Sequence, residues 1–507
     1  MPCRNAMPWL PDAVASVLAQ TGLESNGGLE LIAVDDGSTD GSREWLEACA
    51  AALDGPAEHH DDDAPREEGS REREEDGGAD VGEQAVGGGG GGGCGFGADR
   101  LGWEAEGFEA LTVAETVRRR RAGNVLVVCS VDAFGPSGQG RALNLAYGRA
   151  RGALIGEMES DDLRPPRAFA VLRDALRANP EWDCAASEVR LVGWDRPGMT
   201  RWIDWQNTVH TPREMAKARF LEIPALRASA LYRREALDRV AAFDADGGTL
   251  GTLATGSDLH ASATRHPYRD LWLVDGRVAD CAHPSDPTYD AEGPRSNRRP
   301  PGWWPVDADF WQRWFAAGLT AGKVPEALYL WRQYPAQSTR THDRCSLERL
   351  RACKVHFLLA PGGPARGRPV QVWGTGETLK AWTQDLRRAL VEWDGYGFTE
   401  AVPSAAAAAS SGAAALSASL RGRAAEAAVT AMEYRPGAPV AKQQLRGVDA
   451  AGVEAMRAAG VRFPEAPEGG VPSPVRLFAF GMEKARRKVV KTFTDFDAEG
   501  DDHWFVA

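Results

Sequence analysis

Three short stretches hold side chains whose types and spacing could do chemistry. The first is VDDGSTD (residues 34–40), where Asp35 and Asp36 follow an apolar run and precede a glycine turn. A carboxylate at the carboxyl end of a strand in an open parallel sheet faces the ligand crevice and can accept hydrogen bonds from a base or ribose. A turn aspartate capping the next helix accounts for the same residues equally well. The second is MESDDLRPP (158–166), which places Glu159, Asp161 and Asp162 within four positions. Such a cluster repels itself unless a cation is present, and hard oxygen ligands suit Mg²⁺ or Mn²⁺, which leave positions open for substrate phosphates. The third is WPVDADF (304–310), where Asp307 begins a late helix as either a proton acceptor or a helix cap.

The elements that must position these residues follow from hydrophobic periodicity. WLPDAVASVLAQ (9–20) has helical spacing, LELIAV (29–34) reads as a buried strand, and SREWLEACAAAL (42–53) as a helix with Ser42 as its N-cap. Helices near 108–121 and 141–150 enclose strands at 124–130 and 153–159, the last ending on the acidic cluster. A helix from Pro165, a strand at 184–194, a helix at 211–220 capped by Thr211, a helix at 306–318 and a strand at 324–332 continue the pattern. A further strand, glycine turn and helix span 368–390. This alternation predicts an α/β fold, a mixed sheet flanked by helices with a smaller α/β extension at the C-terminal end.

Organisation follows from composition. The 507 residues include 56 glycines and carry a net charge of −13, of which residues 58–80 contribute −8. That acidic run and Gly87 to Gly93 cannot bury enough apolar surface to offset chain entropy, so 54–100 is expected to be a disordered insertion. The expected divisions are a main domain over 1–53 and 101–345, a loop insertion at 244–302, an α/β unit at 346–402, an Ala-rich linker at 403–430 and an extension at 431–507. Eight scattered cysteines without metal-type spacing fit a reducing, cytoplasmic setting, and no run is long and apolar enough for a membrane span. Basic clusters at Arg118 to Arg121, 295–301 and 484–491 read chiefly as solvated faces. Oligomeric state is not legible.

Taken in order, Pro2-x-x-Asn5, VDDGSTDGS, G-x-A-x-N ending on Asn144, ARG (150–152) and ESDD before Pro165-Pro166 resemble the family 2 glycosyltransferases of the GT-A fold, a Rossmann-like fold that binds nucleotide-diphospho-sugars. The resemblance implies a UDP-sugar donor held by Pro2, Asn5, Asp35, Asp36, Asn144, Glu159 and Asp161. It implies Mn²⁺ or Mg²⁺ on Asp161 and Asp162, Asp307 as the base of an inverting transfer, and an apolar strand before Pro2 that would make this N-terminus incomplete. Where relatives carry a histidine after the arginine of WRQYP, this chain has Gln333 and Tyr334, with His342 as a substitute. TRWI, TPREM, YLWRQYPAQSTRTH, the 368–390 unit and VRLFAFGMEKARRK are similar in order to the β-1,3-N-acetylglucosaminyltransferase-like group assigned as the queuosine-tRNA galactosyltransferase. That implies galactose or N-acetylglucosamine as the sugar and a glycan or tRNA nucleoside as acceptor. Two alternatives stand: a catalytically inactive GT-A domain that binds nucleic acid or protein, and an oxidoreductase built on WGTGET (373–378), which lacks the third glycine of a dinucleotide fingerprint.

Overall fold

The structure is a computed structural model, and it describes residues 1–54, 112–130, 139–242, 271–274, 277–280, 305–335, 337, 345–360, 362–392, 428–433, 474–480, 483–492 and 502–506. Residues 55–100, most of 244–302 and most of 403–430 lie outside them, as do His342 and the basic cluster at 295–301.

The first layer contains β1 (Pro2–Cys3), α1 (Leu10–Leu18), β2 (Glu30–Asp35), α2 (Ser42–Asp54), α3 (Val113–Arg119) and β3 (Val125–Ser130). The strands form a parallel sheet in the order β1-β2-β3, with Cys3 opposite Asp35 and Asp35 opposite Ser130. Sequence placed Pro2 in a turn after a strand. Instead Pro2 and Cys3 are themselves strand, Pro2 occupying a first strand position where a missing N–H costs little. The Met1 amino group donates to the Ile32 carbonyl at 2.8 Å, and the turn follows at Asn5, with φ of 49°. A second correction concerns α2. Ser42 is its first residue rather than its cap, and the Asp40 carboxylate takes the Ser42 N–H at 3.0 Å and the Met7 N–H at 2.9 Å. Thr112 and Glu115 close a capping box on α3.

The second layer contains α4 (Gln139–Arg149), β4 (Leu154–Gly156), α5 (Ala168–Ala178), β5 (Cys184–Gly193), α6 (Pro197–Gln206), α7 (Pro212–Ala218), β6 (Leu231–Arg233) and α8 (Arg234–Ala242). A two-stranded ribbon, β7 (Leu271–Val274) with β8 (Arg277–Asp280), precedes α9 (Val306–Ala316) and β9 (Ala321–Gln333). The sheet order is β4-β6-β5-β9, with β6 antiparallel to both neighbours and β5 parallel to β9. β4 is shorter than the 153–159 expected, because β6 ends its pairing at Leu231 opposite Gly156 and leaves Glu157 to Glu159 without a ladder partner. α9 is buried along most of its length, its Phe310, Trp311 and Trp314 packing edge-on or tilted around Tyr232. Truncating any one of these aromatics costs about 3–5 kcal/mol.

The C-terminal part contains α10 (Leu347–Leu359), β10 (Val370–Gly374), α11 (Gly376–Glu392), β11 (Val429–Glu433), β12 (Val475–Ala479), α12 (Glu483–Thr492) and β13 (His503–Val506). Its strands form one all-parallel sheet in the order β11-β10-β12-β13. Segments that sequence assigned to a unit, a linker and an extension therefore share a sheet, and β11 begins inside the stretch expected as linker. Its core runs into the second layer through Phe220 and Ala308. Phe220 meets Trp504 edge-on at 5.0 Å, and the Lys217 ammonium lies 3.7 Å from the Trp504 ring centre. Among the described residues no helix is long and apolar enough to cross a membrane.

Candidate active site

A cleft of about 1340 Å³ opens at the carboxyl ends of the strands, and Pro2, Asn5, Asp36, Glu159, Asp161 and Asp307 all line it. Residues from three distant parts of the chain thus meet in one cavity. Two others named from sequence do not reach it: Asn144 on α4 and Asp35 are buried outside its lining.

Asp35 and Asp36 separate because successive strand side chains point to opposite faces. Asp35 braces the turn, its carboxylate accepting from the Gly37 N–H at 3.2 Å and the Ser38 N–H at 3.3 Å. Asp36 turns to the cleft and is fixed by its own N–H donating to the Cys3 carbonyl at 2.8 Å. The Asn5 side-chain oxygen accepts from the Thr39 N–H at 2.8 Å, tying the first loop to the VDDGSTD turn at the cleft rim.

The acidic cluster divides as well. Glu159 accepts from the Gln139 side-chain amide at 2.7 Å. Burial pushes its carboxyl up to about 7; Arg227 opposes this, while Asp161, Glu157 and Asp307 add to it. Asp161 accepts from the Tyr334 hydroxyl at 2.7 Å, and burial raises its pKa against the pull of that bond and of Arg332. Asp162 is 1% exposed and both its oxygens are engaged, one by the Tyr329 hydroxyl at 2.6 Å and one by the Arg332 N–H at 2.8 Å. Burial and the adjacent Asp161 hold it well above the ordinary carboxylate range. Asp162 therefore anchors β9 to the strand end, while it also lines the cleft.

Asp307 sits in the first turn of α9, whose N-cap is Pro305, so the cap reading fails. Its carboxylate accepts from the Arg227 Nε at 2.6 Å and keeps 32% of its side chain exposed. Arg227 is 2% exposed and also pairs with Glu157 at 2.9 Å. Asp309 turns the other way, into an ion pair with Arg313 at 2.8 Å. Sequence reasoning missed Arg227 and Glu157. The available signal was an arginine inside IPALRASALY, since a charge in an apolar run must find a partner. It also missed Arg332, buried over the Trp9 ring at 4.5 Å and 3.4 Å from Asp12.

Among the described residues no three His, Cys, Asp or Glu side chains come together as a ready metal set. A divalent ion here would have Asp161, with Glu159 behind it, as its protein side. Mg²⁺ and Mn²⁺ tolerate that poverty when phosphate oxygens and water complete the shell. The raised pKa values of these clustered carboxyls fit such a partner, since nearby positive charge would relieve them. Of the basic candidates, Arg120 is spent on the Asn124 and Leu53 carbonyls, and Arg486 on α12 lies 5.9 Å from the Trp205 ring centre. Trp202 packs edge-on against Trp331 at 6.0 Å. Gly374 ends β10 inside its sheet and Gly376 opens α11 with φ of 58°.

Residues 1–59 match the family described as Glycosyl transferase family 2. A comparison with curated proteins returns no match. Among solved structures the chain is similar to S. aureus TarS, with a TM-score of 0.36 and 12% identity over 80% of this chain and 45% of that one. For TarS 1-349 in complex with UDP-GlcNAc the values are 0.38 and 11%, over 84% of this chain and 78% of that one. For TarS 1-349 in complex with UDP they are 0.35 and 11%, over 84% and 79%. The chain spans less than half the length of the longer TarS structure. Likeness this low carries no argument about substrates.

Proposed function

We propose that this protein is a glycosyltransferase that moves a sugar, galactose or N-acetylglucosamine, from a UDP-sugar to an acceptor hydroxyl with inversion. The observation that carries the reading is the convergence of Asp36, Asp161 and Asp307 on one cleft. The family match over residues 1–59, which include Asp36, supports it.

Asp36 would accept the imide N–H of uracil, with the Pro2 to Asn5 loop beside the base and Glu159 toward the ribose. Asp307 would take the proton from the acceptor hydroxyl as that oxygen bonds to the anomeric carbon. The bond from that carbon to the diphosphate oxygen breaks on the opposite face, and UDP departs with the bonding pair. Arg227 holds the Asp307 carboxylate toward the cleft. Mn²⁺ or Mg²⁺, when held by Asp161, supplies positive charge to the departing diphosphate. The acceptor that the order of the motifs favours is a tRNA nucleoside, queuosine among them.

The test is incubation of purified protein with radiolabelled UDP-galactose or UDP-N-acetylglucosamine, Mn²⁺ and total tRNA. The expected result is label on tRNA with the opposite anomeric configuration, lost in Asp161→Ala. Label on glycan only rejects the tRNA acceptor. Retained tRNA or partner binding with no UDP affinity favours a binding module, to which the Asp307 carboxylate held by Arg227 lends weight.

A further inference from the structure

One stretch of the cleft wall is apolar and exposed. Trp194 follows β5, lines the cleft and is 45% exposed, one of three large exposed apolar side chains among the described residues. Its backbone is tied to β9. The Trp194 N–H donates to the Gln333 carbonyl at 3.0 Å. Gly193, with φ of 90°, lies so close to that carbonyl that a Cβ would stand 2.8 Å from it. Two residues on, the Arg196 guanidinium lies 5.6 Å from the Trp194 ring centre. Its Nη1 is shielded from solvent and has no acceptor among the described residues, although the side chain lines an open cleft.

A desolvated donor without an acceptor costs roughly 1–3 kcal/mol. That cost is recovered when the guanidinium turns toward a ligand in the cleft that brings the missing oxygen, and a guanidinium takes phosphate oxygens in pairs with better geometry than any other side chain. An indole face beside it suits a sugar ring or a base. The strand ends that carry the other cleft residues are distinct from the one that carries this pair. Asp36 ends β2, Asp161 follows β4, and Arg227, which holds Asp307, precedes β6. Trp194 follows β5, the neighbour of β6 in the β4-β6-β5-β9 order, and lines the same cleft as Asp36, Asp161 and Asp307.

We propose that Trp194 and Arg196 form an acceptor subsite for a ring that carries a phosphate group, the unit found in a free sugar phosphate and in a nucleic-acid backbone. The proposal rests on the glycosyltransferase reading for the word acceptor, but its binding test does not.

The experiment measures binding of ribose 5-phosphate, ribose and inorganic phosphate by calorimetry to the full chain with saturating UDP present, and repeats it with a short single-stranded RNA. Ribose 5-phosphate is expected to bind at least tenfold more tightly than ribose or phosphate. Arg196→Gln should weaken it at least tenfold, with Arg196→Lys recovering part of the loss. Trp194→Ala should weaken it and Trp194→Phe retain it, with melting temperatures confirming that each variant folds. A larger gain for RNA than for ribose 5-phosphate identifies the polymer as the source; equal affinities identify the free sugar phosphate. Equal affinity in wild type and Arg196→Gln, or no binding of either probe, overturns the subsite. A loss of UDP affinity in Arg196→Gln exceeding the loss for ribose 5-phosphate overturns it too, assigning Arg196 to the donor. Absence of UDP-sugar turnover in the wild type counts against the enzymatic reading alone, because ribose 5-phosphate binding is read independently.

Discussion

Arg227 bonds the Asp307 carboxylate at 2.6 Å and pairs with Glu157 at 2.9 Å, so one buried cation joins the end of β4 to the start of α9. Asp307→Asn keeps the shape and removes the proton acceptor. Turnover should fall by about 10²- to 10⁴-fold with the melting temperature nearly unchanged. Arg227→Ala should behave otherwise. It removes the cation paired with Glu157, which is 3% exposed, at a cost of about 3–5 kcal/mol of stability. Denaturant unfolding of the two variants side by side separates the effects.

The Tyr334 hydroxyl occupies one oxygen of Asp161. Tyr334→Phe returns that oxygen for about 1 kcal/mol, so the Mn²⁺ concentration giving half-maximal UDP-sugar turnover should drop severalfold. Asp161→Ala should abolish the Mn²⁺ dependence of UDP binding. A titration of both variants against a chelator baseline reads the difference.

Asp35 and Asp36 should respond oppositely. Asp36→Ala should weaken UDP binding by roughly tenfold with little effect on stability, the loss of one hydrogen bond to a charged group. Asp35→Ala strips the acceptor from the Gly37 and Ser38 N–H groups and should cost about 1–3 kcal/mol of stability. Paired calorimetry and thermal melts decide this.

Lys323 is buried and donates to the Gln206 and Pro224 carbonyls, and burial pushes its pKa from 10.5 down to about 7. Between those two values the unfolded chain keeps a proton that the folded chain releases. Stability contributed by this site is therefore lowest below pH 7 and rises with pH through that window, at no more than about 1.4 kcal/mol per pH unit. Above pH 9 the buried thiols Cys3 and Cys49, pushed up to about 12 and about 11, act in the opposite sense, because the unfolded thiols ionise first. Lys323→Met should flatten the slope between pH 7 and 9 in denaturant midpoints.

What was legible in the sequence was local. The apolar run into VDDGSTD gave β2 and the cleft position of Asp36, TPRE gave the Thr211 to Glu214 capping box, and the helix over VDADFWQRW gave Asp307 its place. Sequence kept Asp35 and Asp36 together at the crevice, and only the structure parts them, Asp35 bracing the turn and Asp36 lining the cleft. What was illegible was long-range pairing. Tyr334 meets Asp161 across 173 residues, and Arg227 meets Asp307 across 80. Neither contact has a periodicity or spacing to betray it, because both arise from how β9 and α9 register against β4 and β6. The three-residue β4 was misjudged for the same reason: its length is set by its neighbour β6.

Trp504 lies against Phe220 and Lys217, and the cluster it belongs to includes Ala308, next to Asp307. A premature stop between residues 346 and 504 would leave every proposed site residue in the translated product and still strip the buttress from behind the base. In a genetic screen, nonsense and frameshift alleles between residues 346 and 504 should score with missense alleles of the site.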